Sequence, residues 1–431
     1  MEREANSLAS ELYLTPEEMD MLSGTRGIAI QRAIEIVVAL AKIYGATSLV
    51  PVASVQVAGV SYKNLGESGL EFLQEWAAQG ARVCVPTTLN PAGIDLQRWQ
   101  LLGFSPEFAR QQAAVIRAYT AMGIVPTCTC TPYLVDNLPA FGQHVAWAES
   151  SAVSFANSVL GARTNREGGP SALAAAICGR TAAYGLHLDH NRLAHVRVDV
   201  YCPLRTVSDW SALGYLVGRQ ARDAVPYFVL HDPTAELLGS PALIDSPLLD
   251  ELKSLGAAMA ASGAVALYHI DRVTPEACQQ PMLSGGARRL EIDDLSPGYR
   301  ALNQDPGTQI DLVSIGCPHA SPGEILQIAQ MLDGKQVKTA LWVTTARETR
   351  QQMDTQVQTI QKAGAQVVAD TCLVVAPVEE LGFRHMATNS AKMAFYAPAH
   401  SGLHVHFGSL EQCIQAALSG RWLGEEGTGP T

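Results

Sequence analysis

The chain has 431 residues, 47% of them hydrophobic and 16% charged, with a formal net charge of −11. This composition describes a globular protein with a large core and excludes a disordered one. The acidic balance, with no Lys/Arg cluster, argues against a nucleic-acid footprint or a surface for anionic membranes.

In chain order, the polar start "MEREANSLASEL" lacks the apolar core of a signal peptide, so a cytoplasmic location is expected. The run "AIEIVVALAKIYGA" from Ala33 carries Glu35 and Lys42 and is too short to span a bilayer. Helix starts are marked by Ser or Thr before Pro: Thr15-Pro16, Ser105-Pro106, Ser246-Pro247, Thr274-Pro275 and Ser321-Pro322. A hydroxyl N-cap covers an orphan N–H, and proline at the first helical position loses nothing there. The first and last also place Glu18 and Glu324 where a capping box needs them.

Between these starts lie the short apolar runs "SLVPVASVQV", "ARVCVP", "GIVPTCTC", "HVRVDVYC", "VPYFVL", "AVALYHI", "DLVSIG", "KTALWVTT" and "AQVVADTCL". They alternate with helical patterns, which predicts an α/β fold with mainly parallel sheets. Loops near residues 190 and 300 give three regions: 1–190, 191–300 and 301–431. In the last, strand 311–316, helix 322–334, strand 338–344, helix 346–363 and strand 366–371 are predicted.

Nine cysteines without a C-x-x-C pair argue against a disulfide framework and against zinc ribbons. Cys84, Cys178 and Cys413 read as packing. Cys130, Cys317 and Cys372 each follow a predicted strand, where open α/β sheets collect their chemistry. Three converging thiolates suit iron or an iron–sulfur cluster, and three protein ligands leave an iron position free as a Lewis acid. Proline near Cys130 and directly after Cys317 stiffens these loops.

The stretches "GVSYKNLGESGLEFL", "TTLNPAGID", "TCTPY", "AESSAVSFANSVLGARTNREGG", "SIGCPHASPGE", "ADTC" and "TNSAKMAFYAP" together resemble the catalytic large subunit of the aconitase X family, from about Tyr13 to about Gly420. The resemblance implies linked aconitase-like α/β domains without a swivel domain. It implies an iron–sulfur-dependent hydro-lyase, completed by a separate small swivel-domain subunit that carries a catalytic serine. Carried onto this chain, the cluster ligands are Cys130, Cys317 and Cys372, with Cys128 a weaker choice for the first. The cluster is [2Fe-2S] or [4Fe-4S], with mononuclear iron as a further form. Substrate contacts fall on Gly59, Val60, Ser61, Asn90, Pro91, Ser150, Ser151 and Lys392, with Ser61 and Lys392 catalytic.

The residue types agree with those roles. Gly59 permits close backbone approach and Ser61 can hydrogen-bond a carboxylate. Lys392 is one of only seven lysines and sits among small residues; its other reading is a surface cation, and Lys63 is a similar case. Arg163 and Arg166 either clamp a carboxylate or brace a loop. "HLDH" at 187–190 reads as structural, and His319 as a neighbour of the cluster or of a helix cap. The family has two substrates, cis-3-hydroxy-L-proline, dehydrated to 1-pyrroline-2-carboxylate, and mevalonate 5-phosphate. The Ala-rich, Lys-poor composition, and Ser150 where the mevalonate branch is expected to carry Asn, favour hydroxyproline. Two other readings are an iron-sensing RNA-binding relative, which the acidic charge opposes, and a zinc-stabilised structural protein.

Overall fold

The computed structural model describes residues 12–231, 248–303 and 307–423, so the Ser246-Pro247 helix start lies outside the described residues. Among the described residues no helix is long and apolar enough to cross a membrane.

The first region contains α1 (Pro16–Leu22), α2 (Ile28–Ile43), β1 (Leu49–Pro51), β2 (Val55–Val57), α3 (Tyr62–Ala78), β3 (Thr87–Leu89), α4 (Pro106–Ala121), β4 (Ala146–Trp147), α5 (Ser150–Ser158), α6 (Gly169–Cys178) and β5 (Arg180–Ala182). Thr15 and Glu18 form the expected capping box on α1. Strands β3, β2 and β4 form a parallel sheet, while β1 pairs antiparallel with β5. The run "SLVPVASVQV" divides into two strands because Pro51 has no N–H and the next two amides turn to Gly179 O and His144 O. Neither "ARVCVP" nor "GIVPTCTC" is a strand. Each contains a proline, and the second keeps only an isolated bridge from Val125 to Thr88. Cys84, expected as packing, is exposed.

The second region has β6 (Ala194–Val200), α7 (Val207–Ala221), β7 (Pro226–Leu230), α8 (Leu249–Gly263), β8 (His269–Ile270), α9 (Pro275–Gln279), β9 (Leu283–Ile292) and α10 (Ser296–Leu302), with a parallel sheet in the order β8-β7-β6-β9. Helices α7 and α8 cross where glycines meet: a Cβ on Gly263 would stand 1.9 Å from Gly218 O. The start of α8 is held to the third region by Lys253, which donates to His319 O and Glu324, and by Asp250, which accepts from Ser321.

The third region holds β10 (Leu312–Ala320), α11 (Pro322–Leu332), β11 (Ala340–Thr345), α12 (Arg347–Gln352), α13 (Asp354–Lys362), β12 (Gln366–Ala369), β13 (His385–Thr388), α14 (Ala391–Ser401), β14 (His404–Phe407) and α15 (Leu410–Ser419). Its sheet is parallel throughout, in the order β12-β11-β10-β13-β14. Central β10 is buried along its length, as a parallel strand covered on both faces must be. The helix expected over 346–363 breaks into two at Met353. Ser321 and Glu324 form the expected capping box on α11.

Candidate active site

The ladder of β10 is regular only to Ile315; pairing with β11 resumes at Ala320 after a register break, and Cys317-Pro318-His319 fills the gap. Gly316 begins the bulge at φ +94°, where a Cβ would stand 2.1 Å from Thr344 O. Only glycine fits there. The Cys317–Pro318 bond is cis. Cys372 follows β12 after Asp370, which also has positive φ. Cys130 comes from an irregular loop held by Thr129 N to Leu89 O at 2.9 Å and Gln56 Nε2 to Thr129 O at 3.0 Å.

His319 joins these loops. Its backbone N–H points at Cys130 Sγ, 3.2 Å away. Its ring lies 2.9 Å from Thr371 O through Nε2 and 2.9 Å from Thr129 Oγ1 through Nδ1. A carbonyl only accepts, so Nε2 carries the proton and Nδ1 accepts from the threonine hydroxyl. Burial lowers the imidazole to about 4, which keeps it neutral. Of the two sequence readings of His319, the structure thus gives a brace across the Cys130 and Cys372 loops.

The three thiols gather around Lys392. Burial pushes each up to about 12. Cys130 feels Cys372, Cys317 feels Cys130, Cys372 feels Cys317, and the Lys392 charge acts on all three in the opposite sense. Cys128 faces elsewhere, toward Asp370 and Arg347. Among the described residues no group of three His, Cys, Asp or Glu side chains has the disposition to hold a metal ion. In kind the donors nevertheless fit an iron–sulfur centre: three buried soft sulfurs from three loops, one receiving an N–H, with a cation alongside.

Lys392 is buried rather than a surface cation. Its Nζ reaches Glu149 Oε1 at 2.5 Å and Ser151 Oγ at 3.1 Å. Glu149 caps α5 by accepting from Ala152 N at 2.7 Å, and it also accepts from the hydroxyls of Ser151 and Ser150. Burial is the largest single influence and would raise this carboxyl, but the Lys392 charge together with the hydrogen bonds from Lys392, Ser151 and the Ala152 amide holds the group below its ordinary value. Sequence reasoning selected the two serines and passed over Glu149, although it begins the same "ESSA" motif.

The other predicted contacts reach the site from the Cys372 side. Ser61 Oγ donates to Val375 O at 2.7 Å, and Ala92 N to Asp370 O at 2.7 Å. Gly59 has φ +79°, and its carbonyl accepts from Tyr119. Gln112 ties the two loops together: its Oε1 accepts from Tyr62 N and Gly93 N, and its Nε2 donates to Val60 O. Asn90, next to buried Pro91, keeps Oδ1 buried without a partner. Lys63 is spent on Glu379 and Ala376 O. Arg163 braces Asp189 and His187 O, so it is the loop brace rather than the clamp, and Arg166 is exposed. His187 packs on His144, consistent with a structural "HLDH".

Family models described as the aconitase X first, second and third domains match residues 11–190, 194–296 and 310–419. The chain is 50% identical to a phosphomevalonate dehydratase large subunit from Methanothermobacter thermautotrophicus, over 91% of this chain and 96% of that one. It is 36% identical to a cis-3-hydroxy-L-proline dehydratase from Pseudomonas aeruginosa, over 98% of this chain and 74% of that one. A crystal structure of holo-form aconitase X from Thermococcus kodakaraensis superposes with a TM-score of 0.83 at 44% identity, covering 94% of this chain and all of that one.

Proposed function

The chain belongs to the aconitase X family, a family of dehydratases, and we propose that it is the large subunit of an iron–sulfur-dependent enzyme acting on phosphomevalonate. The observation that carries this reading is the likeness itself: 50% identity to a phosphomevalonate dehydratase large subunit of nearly the same span, against 36% to a hydroxyproline dehydratase of which this chain spans 74%. It replaces the sequence-based preference for hydroxyproline. An Ala-rich, Lys-poor composition bears on thermal habit rather than on substrate. The Ser150 hydroxyl turns to Glu149.

Cys130, Cys317 and Cys372 would hold the cluster, which when bound supplies an open iron as Lewis acid for the leaving hydroxyl. Lys392, fixed by Glu149 and Ser151, holds positive charge against the thiols and the substrate carboxylate. The Gly59–Ser61 loop and Asn90–Pro91 orient the substrate from the other side. A small swivel-domain subunit closes the site and brings the proton-abstracting group. A reducing cytoplasm keeps the nine cysteines free.

The test is an anaerobic dehydration assay with the small subunit. Turnover of phosphomevalonate and not of cis-3-hydroxy-L-proline is expected, with the isolated chain weakly active. The reverse preference would overturn the substrate assignment.

A further inference from the structure

The second region contributes none of the proposed ligand or substrate residues, yet its helix α8 reaches the loop that carries Cys317. Lys253, on the second turn of α8, is 2% exposed. Its Nζ donates to Glu324 Oε2 at 2.5 Å and to His319 O at 3.2 Å, and it pairs with Asp250 Oδ1 at 2.7 Å. Asp250 in turn accepts from Ser321 Oγ at 2.8 Å, and Glu324 accepts from Ser321 N at 3.0 Å. One buried ammonium thus joins α8 to the residue two places after Cys317 and to the cap of α11.

His319 is where that contact counts. Its carbonyl accepts from Lys253, its N–H is aimed at Cys130 Sγ, and its ring spans Thr371 O and Thr129 Oγ1. It lies between Ile315 and Ala320, where the β10–β11 register breaks. In such a bulge the regular ladder no longer sets the backbone, so contacts from outside the sheet must.

Helix α8 is a firm support for this contact. It lies so close to α5, the helix capped by Glu149, that a Cβ on Gly256 would stand 2.8 Å from Ser154 Oγ. The Tyr268 hydroxyl also donates to Leu252 O at 2.9 Å. Burying an ammonium with carboxylates adds little net stability compared with apolar side chains of the same volume. What the ion cluster supplies is direction, a charge-assisted hydrogen bond to one carbonyl. Burial and the Asp250 charge push Glu324 up to about 7, so a neutral glutamine is a close substitute there.

We propose that Lys253 is a positioning residue for the iron–sulfur centre: by holding the His319 carbonyl it keeps the His319 N–H on the Cys130 sulfur and the bulge in the shape that presents Cys317. The assignment rests on the cluster reading of the three thiols and adds a role for the second region. Groups behind the ligands, and hydrogen bonds to ligand sulfurs above all, tune the affinity and potential of such centres.

The experiment uses the reconstituted two-subunit holoenzyme with Lys253→Met, Glu324→Gln and the double variant Lys253→Met/Glu324→Gln. The rate of iron loss to a chelator and the reduction midpoint of the cluster are measured. Both variants that lack Lys253 should lose iron about 10-fold faster or more. Their midpoint should become more negative, because an N–H withdrawn from a sulfur no longer stabilises the reduced cluster. Glu324→Gln leaves Lys253 on His319 O, so its iron loss and midpoint should match wild type even where its thermal midpoint falls. If Lys253→Met fails to fold, the double variant, with one carboxylate fewer to strand, carries the test. Wild-type iron loss and midpoint without Lys253, or equal changes in Glu324→Gln, would overturn the proposal. A wild type that assembles no iron–sulfur cluster would instead sink the cluster reading. Amide exchange over residues 316–321 of the cluster-free full chain then decides the positioning role. Faster exchange in Lys253→Met than in Glu324→Gln supports it, and equal exchange overturns it.

Discussion

Replacing Lys392 by Met tests the buried charge pair at the site. Lys392 and Glu149 are each 7% exposed and meet at 2.5 Å. Removing one partner of such a pair strands the other charge, at a cost of about 3–5 kcal/mol. Glu149 keeps its bonds from Ala152 N, Ser151 and Ser150, which places the expected loss near the lower end, about 3 kcal/mol. For a 431-residue chain melting as one unit, with an unfolding entropy of about 2 cal/mol/K per residue, that corresponds to about 3 °C in scanning calorimetry. The double variant Lys392→Met/Glu149→Gln removes the stranded charge, and Gln still accepts the α5 amide. It should recover all but about 1 kcal/mol of the loss while remaining inactive. The reasoning is refuted if Lys392→Met melts like wild type, or if the double variant is no more stable than the single one.

His187 is buried against His144, and burial, His144, Arg192 and Arg163 together lower it to about 3. Its folded value lies below its unfolded value, so the unfolded chain binds the proton first. Stability should fall as pH drops from about 6.5 toward 3, by up to about 1.4 kcal/mol per unit. In urea titrations at several pH values, His187→Phe should flatten that slope. Gln112→Ala removes three buried hydrogen bonds that join the Gly59–Tyr62 and Asn90–Gly93 loops. It should raise KM about 10-fold or more with iron content intact; an unchanged KM would separate these loops from the substrate. Gly316→Ala must move Thr344 O or the bulge, so soluble yield and bound iron should fall together.

Local chemistry was readable wherever one residue decides it. The Thr15 and Ser321 capping boxes form as read, because hydroxyl, proline and glutamate act within one turn. The strands β9, β13 and β14 were missed because their sequences, such as "LSGGARRLEI" and "HMAT", lack the apolar run of a buried strand; their neighbours make them strands. "GIVPTCTC" failed in the opposite sense: apolar but broken by Pro126. The thiols were picked by an expected place after strands, which holds only for Cys372: Cys317 lies in the bulge inside β10 and Cys130 in an irregular loop, although the three are near enough for each to feel another's charge. Glu149, Gln112 and the His319 brace could not be picked, since each matters through partners 19 to 243 positions away.

The central claim is that Cys130, Cys317 and Cys372 share one iron centre. Iron and acid-labile sulfide, quantified per chain after anaerobic reconstitution of four single Cys→Ala variants, test it directly. Loss of both in the 130, 317 and 372 variants, with Cys128→Ala retaining wild-type levels, is the predicted result. Full iron in any of the first three, or its loss only with Cys128, would contradict the account.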